Sequence, residues 1–233
     1  MLEVRDLRAG YGGSEVLHGV SLRLGDGECV VVLGPNGHGK TTFLRAVSGL
    51  VPLAAGTVEL DGELISDRRP DEIAAAGVVH IPQGDMLFPE MTVYENLVMG
   101  AYLKRAWRER QRKLDRAYEL FPWLSERKDQ LARSLSGGER RMLALARGLM
   151  ADARMLLIDE PSLGLAPVAT EQMYASISGI KESGLPILLA DENANHLQGL
   201  ADRVYLLETG MFVREAPADR LLADEALLAA YLG

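Results

Sequence analysis

Short runs of hydrophobic residues, bounded by glycine or charged residues, recur along the chain and predict strands. In the N-terminal part, β-branched runs of this kind lie at Leu2–Leu7, Val20–Leu24, Glu28–Leu33 and Thr57–Leu60. The Asp61-Gly62 turn that follows favours antiparallel pairing of the first, second and fourth runs. Later runs predict further strands at Val78–Ile81, Met155–Asp159, Ile187–Ala190 and Val204–Glu208.

Longer segments with helical patterns lie between these strands, at Lys40–Ser48, Gly137–Met150 and Val168–Ser183. Strands that alternate with helices are typical of a parallel sheet covered by helices. The pattern therefore predicts an α/β fold with a mainly parallel core sheet and an N-terminal antiparallel β-subdomain.

The strand pattern stops between residues 85 and 134. Thr92-Val93-Tyr94-Glu95 fits a capping box and predicts a helix that continues to about Leu103. A second helix is predicted at about Ala106–Phe121. This segment is therefore interpreted as helical and inserted into the α/β core.

These patterns predict one domain over residues 1–233. Residues 1–84 and 150–233 form its core, and residues 85–149 form a helical subdomain. The subdomain contains a basic cluster, Lys104, Arg105, Arg108, Arg110, Arg112 and Lys113. We expect a solvated helix face there, and contact with acidic phospholipid or RNA is the weaker alternative.

The composition agrees with a globular protein that has no broad nucleic-acid surface. Of 233 residues, 48% are hydrophobic and 25% are charged, and the formal net charge is −8. Cys29, the single cysteine, lies in an apolar run and is expected to be a buried, inert thiol. The charged start MLEVRDL predicts no cleaved signal peptide, and the apolar runs have the length of strands rather than membrane spans.

Residues 34–42 read GPNGHGKTT, which fits the phosphate-loop pattern G-x-x-x-x-G-K-[ST]. Glycines let the backbone curl around phosphate oxygens, and the helix that follows adds its positive dipole end. Lys40 is expected to reach the β- and γ-phosphates, and the Thr41 hydroxyl to bind Mg²⁺. The expected nucleotide-binding residues are Gly34, Pro35, Asn36, Gly37, His38, Gly39, Lys40, Thr41 and Thr42.

The sequence MLLIDEP at 155–161 ends a hydrophobic strand with two carboxylates. Ligands of open parallel sheets bind at the carboxyl ends of the strands. Asp159 is expected to bind Mg²⁺, and Glu160 to orient and polarise the attacking water. A structural Asp-Glu pair that caps a turn is the alternative.

Over essentially its whole length, the chain resembles the ATP-binding subunits of ATP-binding-cassette (ABC) transporters. Leu135–Glu139, LSGGE, resembles the signature sequence of that family. Tyr11 corresponds to the aromatic residue that stacks on adenine, and Gln83 to the glutamine that senses Mg²⁺ and the membrane subunits. Residues 162–165, SLGL, correspond to the D-loop.

The resemblance implies ATP hydrolysis by a pair of subunits. The signature sequence would meet ATP bound to the phosphate loop of the second ATPase subunit, so Ser136, Gly137, Gly138 and Glu139 are expected to contact nucleotide. The implied catalytic residues are Glu160, Gln83 and Lys40, and the implied Mg²⁺ ligands are Thr41, Gln83 and Asp159. Ser136 and Glu139 also fit a capping box at the start of a helix, and both interpretations can hold.

One position departs from the family pattern. The switch histidine, which usually contacts the γ-phosphate, aligns with Glu192. A carboxylate there would repel the γ-phosphate, which leads to the hypothesis that Glu192 slows hydrolysis and leaves ATP binding intact. His196 is expected on the following helix as an ordinary polar residue.

Within the family, the chain resembles the smaller ATPase of branched-chain amino-acid importers, or of urea and amide importers. The similar stretches are DEPSLGLAP at 159–167, ENANHLQGLADRVYLLETG at 192–210, and AYLG at 230–233. The resemblance implies two transmembrane permeases, a periplasmic solute-binding protein that acts indirectly, and a peripheral location on the cytoplasmic face of the inner membrane. A homodimer and a heterodimer of ATPases both remain open.

Two alternatives to this function remain. An ATPase like those of lipopolysaccharide export would keep the same chemistry, and LSGGERR also occurs in that branch. An ABC protein that acts on ribosomes or DNA is less favoured, because such chains usually carry two cassettes or long insertions.

Overall fold

The computed structural model describes residues 1–224, 226 and 231. Of the sequence AYLG at 230–233, only Tyr231 belongs to these residues. The described strands are β1 (Leu2–Tyr11), β2 (Ser14–Leu24), β3 (Cys29–Leu33), β4 (Leu53–Leu60), β5 (Glu63–Leu64), β6 (Val78–Ile81), β7 (Met155–Asp159), β8 (Ile187–Asp191), β9 (Arg203–Glu208) and β10 (Met211–Pro217). The described α-helices are α1 (Lys40–Val47), α2 (Pro70–Ala75), α3 (Val93–Gly100), α4 (Lys104–Arg108), α5 (Arg110–Leu120), α6 (Trp123–Glu126), α7 (Gly137–Leu149), α8 (Pro167–Glu182) and α9 (Ala218–Leu222).

The strands form two sheets. A four-stranded antiparallel sheet has the order β2-β1-β4-β5, and a six-stranded sheet has the order β10-β9-β3-β8-β7-β6. Strands β9, β3, β8, β7 and β6 run parallel, whereas β10 pairs with β9 antiparallel. This architecture confirms the predicted α/β class with an antiparallel subdomain near the N-terminus.

The six-stranded sheet is buried on both faces. All five residues of β3 are buried, and its side chains alternate between two hydrophobic layers. Val30 and Val32 pack with α1 and the antiparallel sheet, whereas Cys29, Val31 and Leu33 pack toward the helical side. Continuous apolar runs are typical of parallel strands covered on both faces. The carboxyl ends of these strands therefore meet at one edge, which places the site.

Several elements differ from the sequence-based bounds. Strands β1 and β2 are longer than predicted, because they continue through register shifts to the turn at Gly12 and Gly13. The tight conformation is possible because both glycines have positive φ, 57° and 87°. Helix α2 and strand β10 were not predicted. Helix α2 is short, and the residues of β10 lie largely exposed, so neither shows a strong periodicity.

Residues 93–149 are mainly helical, as expected, and α3 packs on α7. The predicted helix at Ala106–Phe121 is divided, because Glu109 has a non-helical backbone between α4 and α5. The division of the domain at residues 85 and 149 remains a prediction.

The basic cluster of this region forms ion pairs at the surface. Its exposed members are Lys104, Arg105, Arg108 and Arg112. Arg105 lies 3.0 Å from Asp152, and Arg112 pairs with Glu109. These contacts favour the interpretation of a solvated face over that of a contact with acidic phospholipid or RNA.

Cys29 is fully buried, and desolvation raises the pKa of its thiol to about 12, so it is protonated and unreactive at neutral pH. Among the described residues, none of the helices combines the length and the hydrophobicity that crossing a bilayer requires.

Candidate functional site

The phosphate loop connects β3 to α1. Gly39 caps α1 with a φ of 108°, a conformation that side chains with a Cβ rarely adopt. At Gly34, an added Cβ would lie 2.3 Å from the carbonyl oxygen of Leu207, so only glycine fits against β9. The glycines of the pattern therefore shape the loop as well as open it to a ligand.

Lys40 lies at the centre of the site and is almost fully buried. Its ammonium donates to the carbonyl oxygens of Gly34 at 2.7 Å and Pro35 at 3.0 Å. It also lies 3.0 Å from the carboxylate of Glu160. The loop thus holds a buried cation whose charge is balanced by the carboxylate that follows β7, two strands away from β3 in the sheet.

The two carboxylates predicted at the end of β7 face this loop. Asp159 accepts a hydrogen bond from the Thr41 hydroxyl at 3.1 Å, and Glu160 accepts one from the Gln83 amide at 3.1 Å. Glu160 has a φ of 43°, which is an uncommon backbone conformation for a side chain of this kind. The structure therefore brings together the five side chains to which catalytic or metal-binding roles were assigned.

The environment of Asp159 fits a divalent cation. Its Oδ2 atom is buried and has no hydrogen-bond partner among the described residues. Desolvation raises the pKa of Asp159, and the negative charge of Glu160 adds to the increase, whereas the hydrogen bond from Thr41 opposes it. A hard cation would supply the missing partner, and the hydroxyl, carboxylate and amide oxygens present are ligands that Mg²⁺ prefers.

A cavity of about 320 Å³ lies in front of the phosphate loop. Its lining includes Asn36, Gly37, Gly39, Lys40, Thr41, Thr42, Gln83 and Glu160, all of them predicted site residues, and also Val16. Val16 was missed because the sequence-based start of β2 lay at Val20. His38 points elsewhere, since its Nδ1 accepts a bond from the Thr209 N–H at 3.3 Å.

Tyr11 lies beside α1 at the end of β1. Its ring is 47% exposed, and its hydroxyl lies 3.5 Å from Arg45. An exposed aromatic ring next to the phosphate-loop helix is available for stacking on a base. The predicted role in adenine binding is consistent with this position and remains a prediction.

The signature sequence begins α7 and lies outside the phosphate-loop cavity. None of the described residues that line that cavity belongs to Leu135–Glu139. The capping box is confirmed, because the Ser136 hydroxyl accepts from the Glu139 N–H and the Glu139 carboxylate accepts from the Ser136 N–H. Ser136 and Gly137 are exposed, so this helix N-terminus is open to an anion from outside.

Glu192 follows β8 and contacts the phosphate loop directly. Its carboxylate accepts a hydrogen bond from the amide of Asn36. The expectation for His196 was wrong in one respect, because residues 195–200 form turns rather than a helix. The ring of His196 stacks on Tyr174 at a centroid distance of 4.8 Å. A carboxylate thus occupies the position next to the loop at which a histidine was expected.

Sequence reasoning missed Arg141 in α7. This guanidinium is nearly buried and donates to the carbonyl oxygens of Glu160 and Pro161, each at 3.0 Å. Desolvation lowers the pKa of Arg141 from its usual value, although the nearby carboxylates oppose the change. The signature helix is therefore bonded to the backbone that carries Glu160. The sequence did contain a signal for this residue, since two arginines, Arg140 and Arg141, directly follow the signature sequence.

Comparison with known proteins agrees with this geometry. The model of the ABC transporter family matches residues 17–163. The branched-chain amino acid transport ATP-binding protein BraG of Pseudomonas aeruginosa is 38% identical over 233 residues, all of both chains. The lipopolysaccharide export ATP-binding protein LptB of Escherichia coli is 34% identical, over all of this chain and 97% of its own. The ADP-bound cassette MJ1267 superposes with a TM-score of 0.84 at 25% identity, covering 100% of this chain and 98% of that one.

These findings show that the chain belongs to the ABC transporter family. It is an ATP-binding and ATP-hydrolysing subunit of an ABC transporter, with the cassette fold of that family.

Proposed function

We propose that the chain powers the uptake of branched-chain amino acids through a pair of membrane permeases. The observation that carries this proposal is the full-length similarity to BraG, at 38% identity with no unmatched segment in either chain. The residues DEPSLGLAP at 159–167 support the same branch.

The arrangement of side chains suits phosphoryl transfer to water. The phosphate oxygens of ATP replace the present acceptors of the Lys40 ammonium, including Glu160, which lies 3.0 Å away. Glu160 is then free to orient water and accept its proton, while Gln83 holds the same carboxylate from the other side. Binding of the triphosphate thereby prepares the base.

Thr41, Asp159 and Gln83 are the residues that would hold Mg²⁺. When bound, the ion neutralises charge on the β- and γ-phosphates. The chain's own contribution is to bury the Asp159 carboxylate, whose Oδ1 accepts from Thr41 and whose Oδ2 has no partner within the part of the chain that the structure describes.

Two subunits would complete each nucleotide site. The signature sequence does not line the phosphate-loop cavity within the described residues, yet its helix N-terminus is open. A second subunit, facing the first head to tail, would bring Ser136, Gly137, Gly138 and Glu139 to the γ-phosphate. The partner can be another copy or a related ATPase.

A permease would dock on the helical segment. A cavity of about 420 Å³ there is lined mainly by apolar residues, and Met86 and Tyr102 at its rim are 65% and 61% exposed. Its lining includes Pro82 and Asp85, on either side of Gln83, so a permease helix seated in it would lie beside the residue that donates to Glu160. Such a contact would hold the chain as a peripheral subunit on the cytoplasmic face of the inner membrane. A periplasmic solute-binding protein would act through the permeases only.

The proposal is tested by purification from detergent-solubilised membranes of the native organism. A tagged full-length chain should bring down two permeases, and proteoliposomes that contain the complex should take up radiolabelled leucine with ATP inside. A Met86→Asp variant should lose the permeases and keep ATP binding. Recovery of ribosomes or DNA in place of permeases contradicts the proposal.

Lipopolysaccharide export is the second candidate, because LptB is 34% identical over the whole chain. Urea and amide uptake belongs to the same importer branch. The same purification separates these functions: export components would accompany the chain in the first case, and leucine would fail to compete with urea or amides in the second.

A further inference from the structure

Asp191, at the end of β8, bonds to three different parts of the site. Its carbonyl oxygen accepts from the Gly34 N–H at 3.2 Å, at the start of the phosphate loop. Its Oδ1 accepts from the N–H groups of Glu192 and Asn193, at 2.8 and 3.1 Å. Its Oδ2 accepts from the Tyr174 hydroxyl. Asp191 is only 2% exposed, so these partners replace water around a buried carboxylate.

Tyr174, on α8, is held on two sides. Its ring stacks on His196 with an interplanar angle of 16°, and its hydroxyl lies 3.2 Å from the Ser162 hydroxyl. Ser162 is the first residue of the D-loop, two positions after Glu160. The Tyr174 hydroxyl is therefore a bridge between the D-loop and the residue that fixes the Glu192 backbone.

A phenylalanine would fill the same space and keep the ring stack. The hydroxyl is then the only part of Tyr174 that links Ser162 to Asp191. Burying a hydroxyl is unfavourable unless it is hydrogen-bonded, and here both of its partners belong to segments that border the site.

We propose that Tyr174 is a positioning residue for ATP hydrolysis, whose hydroxyl couples the D-loop to Glu192 and the phosphate loop. The coupling runs from Ser162 through Tyr174 to Asp191, and from there to Gly34 and the Glu192 backbone. Docking of a second subunit on the D-loop would then be transmitted to the γ-phosphate side of the same chain's site. This inference rests on the proposed ATPase dimer.

The first test compares Tyr174→Phe with Tyr205→Phe in the full-length protein. Tyr205, in β9, is also buried, and its hydroxyl accepts from Arg203 at 3.0 Å, so the control loses a similar hydrogen bond. Tyr174→Phe should lower kcat for ATP about five- to tenfold, the effect of one or two hydrogen bonds. The KM for ATP and the affinity for the fluorescent analogue MANT-ATP should stay within about twofold, and Tyr205→Phe should leave kcat within about twofold.

A double mutant tests the route. Ser162→Ala should lower kcat. The double variant Ser162→Ala with Tyr174→Phe should have the same kcat as Tyr174→Phe alone, because Tyr174→Phe already breaks the hydrogen bond to Ser162. Additive losses overturn the coupling, as does a Tyr174→Phe enzyme with normal kcat, or an equal loss of kcat in Tyr205→Phe. If the wild-type protein hydrolyses ATP no faster than its Glu160→Gln variant, the proposed function fails and the inference fails with it.

Discussion

The Lys40 ammonium lies 3.0 Å from the Glu160 carboxylate, and both side chains are at least nine-tenths buried. The cation expected to bind phosphate and the expected catalytic base therefore form a buried ion pair with each other. A phosphate oxygen bound to Lys40 would compete with Glu160 for the ammonium, which would link recognition of the triphosphate to release of the base.

Replacing the base should separate binding from chemistry. In Glu160→Gln, the amide still fits beside Gln83 but cannot accept a proton, so kcat should fall about 100-fold or more. Affinity for MANT-ATP should be retained, and ATP with Mg²⁺ should produce dimers in size-exclusion chromatography with light scattering. Glu119→Gln, which changes a surface carboxylate paired with Arg116, is the matched control. A Glu160→Gln protein that stays monomeric at saturating ATP would contradict the two-subunit site.

Removing the charge at Glu192 should accelerate hydrolysis. Its carboxylate is bonded to Asn36, which lines the phosphate-loop cavity, so its negative charge lies close to the expected position of the phosphates. Both Glu192→His and Glu192→Gln should raise kcat about five- to tenfold in the full transporter, with little change in ATP affinity, since about 1 kcal/mol of repulsion is removed. Steady-state ATPase assays check this. Unchanged or lower rates in both variants would remove Glu192 as the cause of slow turnover.

Arg141 should matter more than its neighbour Arg140. Arg141→Ala leaves the carbonyl groups of Glu160 and Pro161 without their donor, which should lower the free energy of unfolding by about 2–4 kcal/mol and reduce kcat. Arg140 pairs with Asp85 near the surface, so Arg140→Ala should cost less than about 1 kcal/mol. Urea unfolding measures both. Equal losses would show that the buried contacts of Arg141 have no special role.

Acid should destabilise the protein through His80. Burial lowers the pKa of His80 from 6.5 to about 4, and its Nε2 has no partner among the described residues. The unfolded chain therefore binds a proton at higher pH than the folded chain does. Relative to low pH, the neutral His80 side chain therefore adds up to about 3 kcal/mol to the free energy of unfolding. This stability is present in full above pH 6.5 and is lost as the pH falls toward 4.

The measurement is the free energy of unfolding of the wild type and His80→Leu between pH 4 and pH 7.5. As the pH falls, the free energy of unfolding of the wild type should decrease more than that of His80→Leu. Ser48→Ala, which removes the hydroxyl partner of His80 and keeps the titrating ring, is the control and should retain the wild-type slope. Parallel curves for wild type and His80→Leu would refute the assignment.

Local sequence patterns predicted much of the site, because its chemistry sits at strand ends. Lys40 begins the helix after β3, Asp159 ends β7 and Glu160 follows it, so a parallel sheet places all three at one edge. The full length of β2 could not be predicted in the same way, since it reaches Ser14 only through an irregular hairpin with β1 that contains register shifts. Arg141 and Tyr174 were missed for a related reason: each acts through contacts with residues distant in the sequence, which a helical periodicity does not reveal.

The phosphate loop depends on residues far beyond the stretch that identifies the family. The Gly210 N–H donates to the carbonyl oxygen of His38 at 3.0 Å, and its own carbonyl accepts from the His18 N–H at 2.9 Å. One residue thus joins the loop to the antiparallel sheet, although the family match ends at residue 163. A chain shortened to end after β8 would contain all of GPNGHGKTT but would lack the turn at Gly210 that donates to the loop. We therefore expect the smallest fragment able to bind a nucleotide to be longer than the fragment from which the family can be recognised.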